Sequence, residues 1–280
     1  MFKKIILIAG PTASGKSRIA IEIAKKIKGE VINADSMQVY KEFSILSSRP
    51  SKVDLKKVTH HLYGFQPSKK HFSTGAWLKL VKKKINQCLK NKKIPILVGG
   101  TGLYFEAITK GMSKIPNIDF KSRDKIRELQ KKLGQKKFYE KLSELDPLVK
   151  NNIEVFDTQR SIRAYEVKKF TKKSIFEWYK LTESEFKKFQ IFKIFINTPR
   201  EKLLKNISNR AEQMFKNDCI KEVKYFLTLN VDPSLSVNKI IGVKEIRDYL
   251  SGVLNLTQAK ELINIKTRQY AKRQVTWARG

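Results

Sequence analysis

The sequence predicts an α/β protein: a P-loop three-layer core built on a parallel sheet, interrupted by a helical insertion domain. Three observations predict it. The apolar run Ile5-Ile6-Leu7-Ile8-Ala9 leads directly into Gly10-Pro11-Thr12-Ala13-Ser14-Gly15-Lys16-Ser17, which opens into a helical pattern. Further short apolar runs alternate with amphipathic segments, as they do in a parallel sheet with crossover helices. Between about residues 115 and 188 no strand-like run occurs, and Lys, Glu, Leu and Phe recur at helical spacing, for example Ile126, Leu129 and Leu133.

Taken in order, residues 3–9 read as a buried strand, 16–28 as a helix, and 30–34 as a second strand stopping at Asp35. Residues 36–71 read as a loop and 74–91 as an amphipathic helix. The run Ile94-Pro95-Ile96-Leu97-Val98 is a third strand, stopped by Gly99-Gly100-Thr101-Gly102. Beyond the insertion, strand character returns at 191–197, and helices follow at about 200–216, 220–229, 243–250 and 257–279. The expected division is residues 1–114 for the first part of the catalytic core, 115–189 for the insertion, and 190–280 for the strand and helices that complete the core. No internal repeat or low-complexity linker interrupts it.

The segment from Gly10 to Ser17 has the spacing of a phosphate-binding loop, in the strand-to-helix context such a loop requires. Its glycines let consecutive N–H groups turn toward a pyrophosphate, Lys16 adds a point charge, and the Ser17 hydroxyl can ligand Mg²⁺. The helix that follows directs its positive end at the same anion. Asp35 ends a neighbouring strand, where a carboxylate can hold a metal ion or act as a base. Thr101, flanked by glycines, can approach a phosphate oxygen closely. All three groups fall at carboxyl ends of strands, where ligands collect on such sheets.

Charge narrows the partner. The chain has 59 Lys and Arg against 26 Asp and Glu, a net charge of +33, which favours a polyanion through counterion release. Lysine makes up 47 of these cations and arginine only 12, alongside many Ile and Asn, as compositional drift also produces. The arginines are therefore the more informative cations. The two cysteines, Cys88 and Cys219, are far apart and form no C-x-x-C, so neither a zinc site nor a disulfide framework is indicated. A reducing cytoplasm is expected. No stretch approaches 18 apolar residues, so no membrane role is expected, and the chain is read as a monomer.

With these residues on the page, the chain resembles one family, the tRNA dimethylallyltransferases, isopentenyl transferases that modify the adenosine adjacent to the anticodon. The resemblance is carried by GPTASGKS at 10–17, DSMQVY at 35–40, HHL at 60–62, PILVGGTGLY at 95–104, DTQRSIRAYEV at 157–167 and TRQYAKRQVTW at 267–277. It implies that dimethylallyl diphosphate places its pyrophosphate in the loop, contacted by Lys16, Ser17 and Thr101 with Mg²⁺ bridging. It also implies that Asp35 accepts the amine proton, and that Arg210 stabilises the leaving group with Lys16. The tRNA anticodon stem-loop would be touched by Asp35, Ser36, Met37, Gln38, Thr101, Arg123, Gln159, Arg160, Ser161, Ile162 and Arg163. Arg160 and Arg163, three apart, would share a helical face. His60 and His61 belong to a family block but read as structural, having no Cys, Asp or Glu at ligand spacing nearby.

The chain departs from the family pattern at residues 44–50, at Asp218-Cys219 where relatives have Ala-Gly, and at Val243 where they have Tyr. No cysteine-rich zinc extension is expected after the last block. Two other readings of the same residues are a P-loop small-molecule kinase or NTPase with Asp35 on the metal, and a basic RNA-binding protein without catalysis. The second has no use for Lys16, Asp35 and Thr101 converging on one crevice.

Overall fold

The computed structural model describes residues 3–279; residues 1, 2 and 280, at the outer limits of the expected core segments, lie outside the described residues. The chain opens with β1 (Lys4–Ala9), α1 (Lys16–Ile27), β2 (Gly29–Asn33), α2 (Lys52–Lys57), β3 (His60–His61), α3 (Thr74–Lys90), β4 (Ile94–Gly99) and α4 (Gly102–Thr109). Four helices follow: α5 (Phe120–Leu133), α6 (Gln135–Leu145), α7 (Thr158–Thr171) and α8 (Ile175–Lys180). The last stretch holds β5 (Gln190–Phe195), α9 (Arg200–Lys216), α10 (Cys219–Thr228), α11 (Val243–Leu250) and α12 (Leu256–Arg279).

All five strands are parallel, in the order β3-β2-β4-β1-β5. Period-two alternation assigns their faces. Ile8, Val31, Ile96 and Val98 pack with Ala20 and Ala24 of α1. Glu30 points to the opposite face, where its carboxylate accepts from the Cys88 thiol of α3. Helices therefore cover both faces, as an all-parallel sheet requires. The helix α1 stops where Lys28 turns left-handed at φ 53° and gives its N–H to the Ala24 carbonyl. Ser73 starts α3 by accepting from the Ala76 N–H at 3.2 Å.

Two parts of this order depart from the sequence reading. The expected loop at 36–71 contains α2 and β3, and β3 extends the sheet by pairing Val31 with His60 and Ile32 with His61. A two-residue strand is too short to show an alternation. The helix α4 begins at once after the Gly-rich turn, and its Tyr104, Phe105, Ala107 and Ile108 are all buried.

The chain divides into two compact units, one of residues up to 108 together with those from 188 on, the other Thr109–Lys187. The first unit has a second core beside the sheet, in which Val39, Phe43 and Leu46 pack with Met214, Val223, Phe226, Ile246 and Ile263 of the closing helices. Val243, one of the departures from the family pattern, is buried there. The residues at 44–46 are held by one carboxylate: Glu222 of α10 accepts from the backbone N–H of Ser44 (2.6 Å), Ile45 (2.8 Å) and Leu46 (2.9 Å). Asp218, at φ 62°, caps the same helix by accepting from the Lys221 N–H.

The second unit is helical. Gly134, at φ 72°, separates α5 from α6. Phe138, Leu142, Ala164, Val167 and Ile175 close its core, each large aliphatic side chain contributing about 1.5–3 kcal/mol by leaving water. Asp157 caps α7 by accepting from the Arg160 N–H at 3.1 Å, and Ser174 with Glu177 forms a capping box on α8.

Candidate active site

The site begins at the carboxyl end of β1. Ala13 and Gly15 both adopt left-handed backbone, at φ 62° and 84°, and Ser14 N–H donates to the Pro11 carbonyl at 3.2 Å. A Cβ on Gly15 would meet nothing within 4 Å, so glycine there serves the φ value and not the space. Lys16 folds back to donate to the Pro11 carbonyl at 3.2 Å. Burial lowers its pKa to about 8, the nearby Asp35 charge opposing and Arg210 reinforcing that shift.

The helix α9 supports the loop from one side. Asn206 donates to the Ala13 carbonyl at 3.0 Å, and one turn later Arg210 donates from Nη1 to the Thr12 hydroxyl. Burial also depresses the Arg210 pKa, with Asp35 acting against it. Two buried polar atoms here, Ser14 Oγ and Arg210 Nε, have no hydrogen-bond partner. Buried groups of this kind are costly unless something completes them, and an anion with several acceptor oxygens would.

Asp35 is positioned by its own neighbours. Asn33 accepts its N–H at 2.8 Å and donates to the carbonyls of Asp35 (2.9 Å) and Leu62 (3.0 Å). The Asp35 Oδ1 accepts from the Met37 N–H at 2.9 Å. Thr101 accepts from the Ser36 N–H at 2.9 Å and donates to the Ser36 hydroxyl at 3.2 Å. Gln38 donates to the carbonyls of Ser47 (2.9 Å) and Ser48 (3.0 Å), so the 35–38 block ties the strand end to the 44–50 loop. The buried Tyr104 and the part-buried Tyr63 and Tyr270 are raised in pKa by loss of solvent and then by the Asp35 charge.

The long helix α12 closes the site, and this the sequence reading did not assign. Gln274 accepts from the Thr12 N–H at 2.7 Å and donates to the Gly100 carbonyl at 2.9 Å, so one amide joins the phosphate loop to the turn after β4. A Cβ on Gly100 would stand 1.9 Å from Gln274 Nε2, and one on Gly102 would stand 2.4 Å from the Trp277 ring. Thr101 and Gln274 lie beside the Tyr270 hydroxyl and oppose the upward shift that burial gives it. Tyr270, Gln274 and Trp277 all lie in the TRQYAKRQVTW block, and their spacing along one helix was the signal available.

Of the expected site residues, Gly10 to Ser17, Asp35 to Gln38, Thr101 and Arg210 are thus gathered in the first unit. Ser17, the expected metal ligand, is exposed at the start of α1. In the second unit Glu166 is buried and its Oε2 lies 3.0 Å from Arg163 Nη1 and 3.9 Å from Arg123 Nε. Arg160 is 75% exposed and sits 3.5 Å from Asp157. Gln159 is exposed and Ile162 part-buried, whereas Ser161 is fully buried, its hydroxyl donating to the Asp157 carbonyl at 2.8 Å. Ser161 therefore builds the helix start and presents no side chain to solvent.

The structural reading of His60 and His61 rested on the lack of a nearby Cys, Asp or Glu, and that premise needs correction. His61 Nε2 lies 2.6 Å from Glu30 Oε2, and the same oxygen accepts from Cys88 at 3.4 Å. The three ligand atoms lie within 4.8 Å of one another, brought together by residues 58 positions apart in sequence. Each already serves as another's hydrogen-bond partner. Burial, with Glu30 adding to it, pushes the Cys88 thiol up to about 12. No helix among the described residues is long and apolar enough to cross a membrane.

A phosphate loop at the carboxyl end of a parallel sheet, with a lysine, an arginine and a carboxylate gathered round it, defines a P-loop enzyme acting on a phosphorylated compound. The IPP transferase family model matches residues 38–280. The chain is 56% identical over 276 residues to a tRNA dimethylallyltransferase of Pelagibacter ubique, covering 99% of this chain and 88% of that one. It is 44% identical to the tRNA dimethylallyltransferase of Rickettsia felis, covering 98% and 89%. A tRNA isopentenylpyrophosphate transferase from Bacillus halodurans has a similar crystal structure, with TM-score 0.71 and 31% identity over 99% of this chain and 87% of that one. A eukaryotic dimethylallyltransferase acting on tRNA has TM-score 0.82 and 29% identity, covering 98% and 69%. The chain belongs to the IPP transferase family.

Proposed function

We propose that this protein transfers the dimethylallyl group of dimethylallyl diphosphate to the N6 amine of the adenosine adjacent to the anticodon in tRNA, releasing pyrophosphate. The observation that carries the reading is the convergence of Lys16, Arg210, Asp35 and Thr101 around one phosphate loop, where two buried polar atoms, Ser14 Oγ and Arg210 Nε, lack partners. Family membership supports the tRNA substrate and the prenyl donor.

In this reading the diphosphate lies along the loop, against Gly10, Pro11, Thr12, Ala13, Ser14 and Gly15, and completes Ser14 Oγ and Arg210 Nε. The N6 lone pair forms a bond to the allylic carbon while the bond from that carbon to the diphosphate oxygen breaks. The amine proton passes to Asp35, whose Oδ1 is held by the Met37 N–H, leaving Oδ2 to receive it. Lys16 and Arg210 stabilise the charge that grows on the departing pyrophosphate. Ser17 would hold Mg²⁺, which when bound supplies further positive charge to the diphosphate oxygens; the acceptor-rich ligand and the exposed hydroxyl fit such an ion. In the helical unit Arg123, Gln159, Arg160, Ile162 and Arg163 contribute to tRNA binding, and the buried Ser161 holds the start of the helix that carries the last four. Location in the cytoplasm and action as a monomer complete the proposal.

Competition tests the donor. Inorganic pyrophosphate should displace dimethylallyl diphosphate, and ATP hydrolysis should stay at background with or without tRNA. A tenfold rise in ATP turnover with a small hydroxyl compound would instead establish the kinase reading.

A further inference from the structure

We propose that Tyr179 of the helical unit is a stacking platform for an unpaired base of the RNA loop, beside the helix that carries Arg160 and Arg163. The proposal rests on the tRNA reading above and deepens it, since no sequence block singled out this residue.

Tyr179 lies on α8, which packs against α7. It is 54% exposed, although it is a large aromatic residue next to a well-filled core. Its ring meets Phe176 at 83° with 6.1 Å between centroids, so one aromatic neighbour holds the ring while more than half of the residue stays in solvent. Arg160 and Arg163 stand three residues apart on the adjacent helix, and the positive charges of both act on the Tyr179 phenol, against the upward pull of burial. Glu166 holds the Arg163 guanidinium at 3.0 Å and is itself buried, so that arginine is set in place before any ligand arrives.

The chemistry of this group selects its occupant. An exposed aromatic ring on a helix packed against the one that carries two arginines suits a π-faced, anionic polymer: the ring takes a base and the cations take neighbouring phosphates. A peptide partner of the same size would need acidic side chains on both sides of an aromatic one. A duplex keeps its bases stacked and cannot offer one. The unit carries 20 Lys and Arg against 12 Asp and Glu over residues 109–187, which adds general attraction for RNA without choosing the site.

The test uses the full chain and an anticodon stem-loop RNA, read by affinity across a salt series. Tyr179→Ala should weaken binding by about 10- to 100-fold and leave the salt slope unchanged, because no charge is removed. Tyr179→Phe, which keeps the ring, should bind like the parent chain. Loop nucleotides replaced one at a time by abasic sites should reveal one position at which Tyr179→Ala costs nothing further. The proposal is overturned if Tyr179→Ala binds normally, if Phe and Ala lose equally, or if the alanine loss persists at every abasic position. If the unmodified chain binds the stem-loop no better than a duplex of equal charge, the tRNA reading itself fails, which is a separate result. Because Tyr179 is largely exposed, the urea midpoint of both variants should match the parent.

Discussion

At the scale of the residue, the proposed reaction places the proton transfer on Asp35, whose position its neighbours Asn33 and Met37 hold. Asp35→Ala is expected to lower the single-turnover rate by about 10²- to 10⁴-fold, the range of a lost general base, with tRNA affinity little changed. A rate near normal in that variant would remove Asp35 from the mechanism. The cysteines give an independent check on burial. Cys88 and Cys219 are both buried, and burial pushes each thiol up to about 12. Iodoacetamide at pH 8 should therefore leave both untouched in the folded protein and label both in urea. The sign follows: thiols that ionise near 9 when unfolded and near 12 when folded contribute stability below about pH 9 that is lost as pH rises from there toward 12. Asp35, Lys16, Ser17 and Thr101 were legible as single residues because each ends a recognisable run. Glu30, Cys88 and His61 were not, since their meeting depends on which strand lies beside which.

Among the elements, the phosphate loop depends on α12 as much as on its own glycines. Gln274 reaches Thr12 across 262 positions of sequence, a distance over which periodicity and spacing say nothing. The helix itself was legible, and its role as a clasp was not. Gln274→Ala leaves the Thr12 N–H and the Gly100 carbonyl unpartnered and should cost about 1–3 kcal/mol of stability, read as a lower urea midpoint with the same slope. Gly100→Ala, whose Cβ would stand 1.9 Å from Gln274 Nε2, should reproduce that loss; a neutral result for both would show that the clasp is dispensable. The short elements α2 and β3 escaped the sequence reading for a different reason. Six and two residues are too few to display a period, and tertiary pairing with β2 makes β3 a strand. In α7, the Arg160 and Arg163 spacing was readable, but the buried Glu166 that holds Arg163 was not distinguished from a surface acid.

For the molecule as a whole, the net charge of +33 attracts RNA without specifying where it sits. The helical unit holds 20 of the 59 Lys and Arg, so the excess is spread through the chain and only placed groups can define a site. Exchanging Arg160 and Arg163 for alanine should flatten the salt slope of tRNA binding by about one unit for each phosphate that is no longer neutralised. Exchanging the exposed pair Lys131 and Lys132 should change it much less. Equal losses would mean diffuse electrostatics and would withdraw the site from 159–163. The central claim is the transfer itself, and nucleoside mass spectrometry of tRNA incubated with the protein, dimethylallyl diphosphate and Mg²⁺ tests it most directly. The account predicts a new adenosine derivative heavier by one dimethylallyl unit, placed beside the anticodon, formed with stoichiometric pyrophosphate and slowed by about 10²- to 10⁴-fold in Asp35→Ala. Unmodified tRNA after incubation with the intact, folded chain, or the same product from Asp35→Ala at an equal rate, would contradict it.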